Sequence, residues 1–221
     1  MPRHFWFFLA NQTFTRVAYH LVTFTLLIWV FQLTSSNAAV SLWMVMFFIA
    51  SVPFSLIAGV AADHFDRRKV TIAANLTWGV LILGFIPIRE SLPLILLFTL
   101  LTQALDEFFT VSQNSSLPLL VGNRRLPLAN SFFYFGNFAS AFVGFFMSGV
   151  ILRFIGYTFP FLLASGLVIS GSLFILALPP LLSRGRESPT MGEFFGQLKG
   201  KLVDQLDFLF HHRRVAATVV T

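Results

Sequence analysis

Three ionisable residues stand in apolar surroundings: Arg16, Asp106 and Glu107. Arg16 opens a run that reaches Asp63 without another Asp, Glu, Lys or Arg. Charged groups in such segments are costly, so they face a cavity or a partner. On a helix, Gln12, Arg16 and His20 fall at i, i+4 and i+8 and share one face. Gln103, Glu107, Thr110 and Asn114 make a matching stripe. A guanidinium opposite a carboxylate pair could lock two helices together, bind a substrate or pass a proton. A third reading has Arg16 facing a partner outside this stretch of chain. Other chemistry is poorly served. The chain has no Cys, which removes disulfides, thiolate metal sites and cysteine nucleophiles. His211-His212 is not paired with a carboxylate at helical spacing, and no Gly-rich phosphate loop is present. No enzyme constellation, metal site or cofactor is expected, and no ATP-driven step by this chain alone.

The elements that carry these residues follow from composition. Of the 221 residues, 56% are hydrophobic and only 11% charged, with mean hydropathy +0.79 and 29 Phe. Soluble domains carry roughly 25% charged residues, so a water-soluble domain is excluded, and the apolar content excludes disorder. A bilayer-spanning helix needs about 20 apolar residues, which allows roughly six spans here. Polar breaks at Thr34-Ser35-Ser36-Asn37 and Arg89-Glu90-Ser91 help to set them at about 5–33, 40–62, 70–88, 92–116, 127–152 and 157–182. Helix is the expected conformation throughout, because backbone exposed to lipid must satisfy its own hydrogen bonds. Arg16 and Asp106 then both sit about 15 Å from the same end, on helices running in opposite directions.

A net charge of +6 could suggest nucleic acid, but in so apolar a chain the placement of charge about a membrane is the better question. Arg3, Arg67, Arg68, Lys69, Arg124 and Arg125 fall on one side, together with the basic residues after the sixth span. Only Arg89 and Arg153 fall on the other. The positive-inside rule puts the N-terminus in the cytoplasm. Val17–Phe31 with Ser36-Asn37-Ala38 has the outline of a cleaved signal. The polar Asn11, Gln12 and Thr13 and the long basic region argue instead that the first helix is retained.

The connection after the second span runs from Gly59 through Asp63 to Arg67-Arg68-Lys69. Basic residues could simply enforce topology there. That would leave unexplained Gly59 four residues before Asp63, and the basic cluster four residues beyond it. Gly59 would let two helices approach closely. Asp63 would pair with Arg67, Arg68 or a helix N-terminus, locking one conformation and releasing it in another.

This spacing resembles the loop signature of the major facilitator superfamily, with Gly59, Asp63, Arg67 and Arg68 in the matching places and His64 and Asp66 departing from it. Asn114-Ser115-Ser116-Leu117-Pro118-Leu119-Leu120-Val121, with Leu126 and Ala129-Asn130, is similar to the stretch linking helices four and five in macrolide and siderophore exporters. Helix five keeps Gly136, Gly144 and Gly149, but Phe145 stands where those exporters carry Pro. The resemblance implies an all-α transmembrane six-helix bundle of two three-helix inverted repeats, half of a twelve-helix fold. It further implies a secondary transporter in the bacterial-type cytoplasmic membrane, exporting a small amphipathic molecule such as a drug or siderophore, with protons as the candidate coupling ion. Helices one and four would line its cavity, with Gln12, Arg16, His20, Gln103, Asp106, Glu107 and Asn114 as candidate residues. Partners would be the substrate, the lipid bilayer and either a C-terminal half or a second copy, with no nucleic acid. A degenerate, non-transporting half acting as scaffold is the competing reading.

Three segments are expected: the bundle over 1–182, a cytoplasmic central loop over 183–212 and the start of a seventh span over 213–221. Met191, Phe194, Phe195, Leu198, Leu202, Leu206 and Leu209 fall at helical spacing in that loop. They predict an amphipathic helix lying on the membrane surface.

Overall fold

Local signals set the breaks between helices. Helix α1 (Arg3–Thr34) ends where Ser35 turns left-handed at φ 49°, and the Ser36 side chain accepts from Ala39 N–H to open α2 (Asn37–His64). Asp66 caps α3 (Arg67–Gly84) in the same way, accepting from Arg68 N–H. Prolines in the first turn start α4 (Leu92–Val121) and α5 (Leu126–Phe154), where no amide donor is needed. Gly122, at φ 71°, ends α4 and leads into a short 3₁₀ turn, Asn123–Arg125. Helix α6 (Thr158–Leu176) is the last among the described residues. The structure, a computed structural model, describes residues 1–181. The expected central-loop helix and seventh span lie outside the described residues.

Two boundaries differ from expectation. Helix α3 stops at Gly84 rather than near residue 88. Gly84 is a weak helix former, and Pro87 supplies no amide and pushes Ile86 out of helical conformation. With Arg67, Arg68 and Lys69 in its first turn, α3 is not among the five helices of the described residues that are long and apolar enough to cross a membrane. Helix α4 continues to Val121, so Asn114–Val121 is its last two turns and not a linking stretch. Ser115 and Ser116 return their hydroxyls to the Ser112 carbonyl, and Leu117 and Val121 bury against Phe5 and Phe8.

The packing has internal symmetry. Helix α1 lies against α5 and α6, α4 lies against α2 and α3, and α3 meets α6. Exchanging α1–α3 with α4–α6 maps these pairings onto themselves. Single hydrogen bonds repeat the pattern: Thr25 and Ser148 hydroxyls meet at 2.8 Å between α1 and α5, and Trp43 Nε1 donates to Thr99 at 3.0 Å between α2 and α4. The fold is an all-helical six-helix bundle of two related three-helix units.

Two apolar cores flank a polar layer. One core, at the end holding Ser35 and Gly156, gathers Leu21, Leu26, Trp43, Trp78, Phe85 and Phe161. The other, at the basic end, gathers Phe5, Phe8, Leu117, Phe133 and Ile175. Between them are buried Asn11, Thr15, Asn75 and Gln113, with Gln113 Nε2 donating to Asn11 Oδ1 at 2.8 Å. Outward-facing Phe48, Val52, Phe138 and Phe142 are largely exposed. Such a surface would aggregate in water and is compatible with lipid.

Lipid tails are as apolar as leucine, so helices associate through close packing at small residues. Gly144 carries this in α5: a Cβ there would stand 2.7 Å from the Val17 carbonyl and 2.8 Å from the His20 Cβ. Gly149, one turn on, faces open space. Gly144→Ala should therefore destabilise the full-length protein by about 1–3 kcal/mol, the usual cost of overpacking, and Gly149→Ala should be near neutral. Thermal unfolding in detergent checks this; equal midpoints for the two variants would refute the close α1–α5 contact.

Candidate functional site

A cavity of about 360 Å³ opens into the polar layer. Its walls come from Gln12 and Arg16 of α1, Asp106, Glu107, Thr110 and Asn114 of α4, and Asn130, Phe133, Tyr134 and Asn137 of α5. Arg16 is the centre of its electrostatics. The guanidinium Nη1 reaches both Asp106 oxygens, at 3.1 and 3.2 Å. Its Nη2 donates to Thr110 Oγ1 at 2.6 Å, and the Thr110 hydroxyl donates in turn to Asp106 Oδ2 at 3.4 Å. Phe109 and Tyr19 rings lie 5.2 and 5.5 Å from the guanidinium carbon, within cation–π range. The two charged side chains are only 13% and 8% exposed. Removing one partner of a pair this enclosed strands the other charge, which typically costs about 3–5 kcal/mol.

The neighbouring carboxylate is held differently. A helix advances about 100° per residue, so Asp106 and Glu107 cannot point the same way. Glu107 accepts from Ser51 Oγ of α2 at 2.6 Å while still facing the cavity. Arg16 is taken up by Asp106 and Thr110, so Glu107 is the carboxylate of the wall that no guanidinium reaches among the described residues.

His20 and Gln103 do not join this wall. One turn further along α1 than Arg16, His20 packs edge-on against Phe145 of α5, beside Gly144. Gln103 is buried and accepts from the Tyr19 hydroxyl at 3.3 Å. The sequence reading passed over Ser51 and the α5 residues. Asn130, Tyr134 and Asn137 fall at i, i+4 and i+7, a polar face in an otherwise Phe-rich helix that was open to inspection.

The connection between α2 and α3 is built on backbone contacts. Arg67 Nε donates to the Ala62 carbonyl at 2.9 Å, and Arg68 Nη2 to the Leu176 carbonyl of α6 at 2.8 Å. Cations suit helix C-termini, where carbonyls lack partners. Asp66 Oδ1 accepts from the amides of Arg68 and Leu181, each at 3.0 Å, and is thereby buried. An Asp directly before a basic helical turn is an N-cap signal that sequence reading did not use. Asp63 is half-buried at the end of α2. A Cβ at Gly59 meets nothing within 4 Å among the described residues, so no helix of this bundle packs closely there.

No curated protein matches the sequence. A sequence model of the Major Facilitator Superfamily matches residues 8–219. That match spans the polar layer and both symmetry-related units, and it accords with a bundle whose buried charges meet in a cavity. The chain therefore belongs to the Major Facilitator Superfamily, as an integral multi-pass membrane protein of a transporter family.

Proposed function

We propose that the bundle forms one wall of the central site of a secondary active transporter that works by alternating access and exports a small amphipathic molecule. The observation that carries this is the Arg16–Asp106–Thr110 cluster with Glu107 beside it in a polar cavity. Burying charge in a membrane is expensive, and such groups mark the places where a span meets a cavity or a partner. Phe133 and Tyr134 offer an apolar face, the asparagines offer hydrogen bonds, and the unneutralised Glu107 favours a cationic group or a proton. A drug-like or siderophore-like molecule with both faces fits such a wall. The opposite wall would come from a C-terminal half or a second copy. The membrane would be the bacterial-type cytoplasmic one, with the N-terminus inside by the distribution of Arg and Lys.

Transport by the full-length protein tests the pairing. Arg16→Glu alone should cut transport by about a hundredfold or more, as expected for the loss of a pair worth about 3 kcal/mol or more. Adding Asp106→Arg should recover a measurable part at equal membrane abundance. A double variant no better than the single would overturn the proposed role of the pair. Glu107→Gln should leave membrane abundance unchanged but weaken transport of cations more than of neutral substrates; equal loss for both would remove Glu107 from recognition.

Orientation has its own test. The chain lacks native Cys, so cysteines placed at Ser36 and Gly122 report cleanly. An impermeant maleimide should label Ser36→Cys from outside the cell and Gly122→Cys only in inside-out vesicles. Labelling of both from one side would overturn the topology.

A further inference from the structure

On the outer side of the bundle, away from the polar cavity, α2, α3 and α4 enclose a second cavity of about 320 Å³. Ala61 and Phe65 line it from the end of α2, Ala73 and Thr77 from α3, and Leu105 and Phe108 from α4. Thr77 is the single polar residue in the lining, so nothing there would hold a polar ligand. Ala73 and Thr77 are exposed, so the groove opens outward. Lys69, Ala73 and Thr77 are spaced i, i+4 and i+8, so exposed Lys69 continues the same face of α3 towards the basic end. From Lys69 to Thr77 the helix rises about 12 Å, close to the depth of one leaflet of a bilayer whose hydrocarbon core is about 30 Å.

An apolar slot of one-leaflet depth with a lysine at its mouth matches one ligand chemistry. The geometry points to a bound anionic phospholipid, its acyl chain in the α2–α3–α4 groove and its phosphate against Lys69. Helix α3 packs on α4 and α6 and touches α2 only slightly, leaving the seam beside α2 unfilled. Arg68 does not compete for the headgroup, because it is turned away to the Leu176 carbonyl. The site is independent of the transport cavity and of what that cavity carries.

The test uses the full-length protein in nanodiscs containing a lipid with a photoreactive diazirine in its acyl chain, bearing a phosphatidylglycerol or a phosphatidylcholine headgroup. Crosslinks mapped by peptide mass spectrometry should be enriched at Phe65, Ala73 and Phe108 over exposed Leu173 of α6. Ala73→Phe fills the slot and should abolish that enrichment while leaving Leu173 labelled. Lys69→Glu should lower the ratio of phosphatidylglycerol to phosphatidylcholine crosslinks by about fivefold or more, the effect of about 1 kcal/mol per basic residue at an anionic surface. Labelling no stronger in the groove than at Leu173 would overturn the site, as would labelling indifferent to Ala73→Phe. Absence of groove labelling with either lipid would mean that protein covers this face, which also overturns it. A headgroup ratio unchanged by Lys69→Glu would overturn the role given to the lysine.

Discussion

A guanidinium in the middle of a membrane must be answered, and the Arg16–Asp106 contact is the answer on which the bundle turns. It joins the first helix of one three-helix unit to the first helix of the other. Those two helices make few other direct contacts. The pair therefore fixes the register of α1 against α4 where apolar packing alone would leave it loosely specified. Thr110 extends the contact by a turn, and the Phe109 and Tyr19 rings lie within cation–π range of the guanidinium.

The surrounding structure keeps that contact dry enough to matter and open enough to be used. Above and below it, two apolar cores clamp the helices. Gly144 brings α5 almost into backbone contact with α1, so the α5 asparagines reach the cavity wall. On the other flank, Ser51 of α2 reaches Glu107. The two flanking helices are equivalents under the internal symmetry, yet one gives a hydroxyl to a carboxylate and the other sets asparagines in the cavity wall. Symmetry of packing thus frames an asymmetry of chemistry.

Much of the fold was legible in the sequence, because hydropathy acts over whole helices and survives local error. The uncharged run from Arg16 to Asp63 predicts two spans, and the structure has two helices there. Boundaries were less legible: the fourth span is expected to end at Ser116, yet the hydroxyls of Ser115 and Ser116 bond back into the helix and it runs on to Val121. The candidate site was legible in depth but not in azimuth. Counting residues brings Arg16 level with both carboxylates, but choosing between neighbours 100° apart needs the positions of α2 and α5. His20 and Gln103 share helical faces with cavity residues yet sit a turn away from the opening, because a stripe extends further along a helix than any one cavity does. Gly59 shows the opposite failure, since a glycine in a motif does not tell which neighbour it was kept small for.

The buried Asp66 has a consequence for how the chain is put together. Its carboxylate serves its own helix through Arg68 and a distant amide at Leu181, 115 positions further along the chain. At translation rates of about 5–20 residues per second, the second contact lags the first by on the order of ten seconds. Throughout that interval the α2–α3 turn is capped but undocked, and its arginine has no α6 carbonyl to meet. The sixth helix thus seats the turn between the second and the third, and assembly of the bundle closes like a clasp whose two halves are synthesised 115 positions apart.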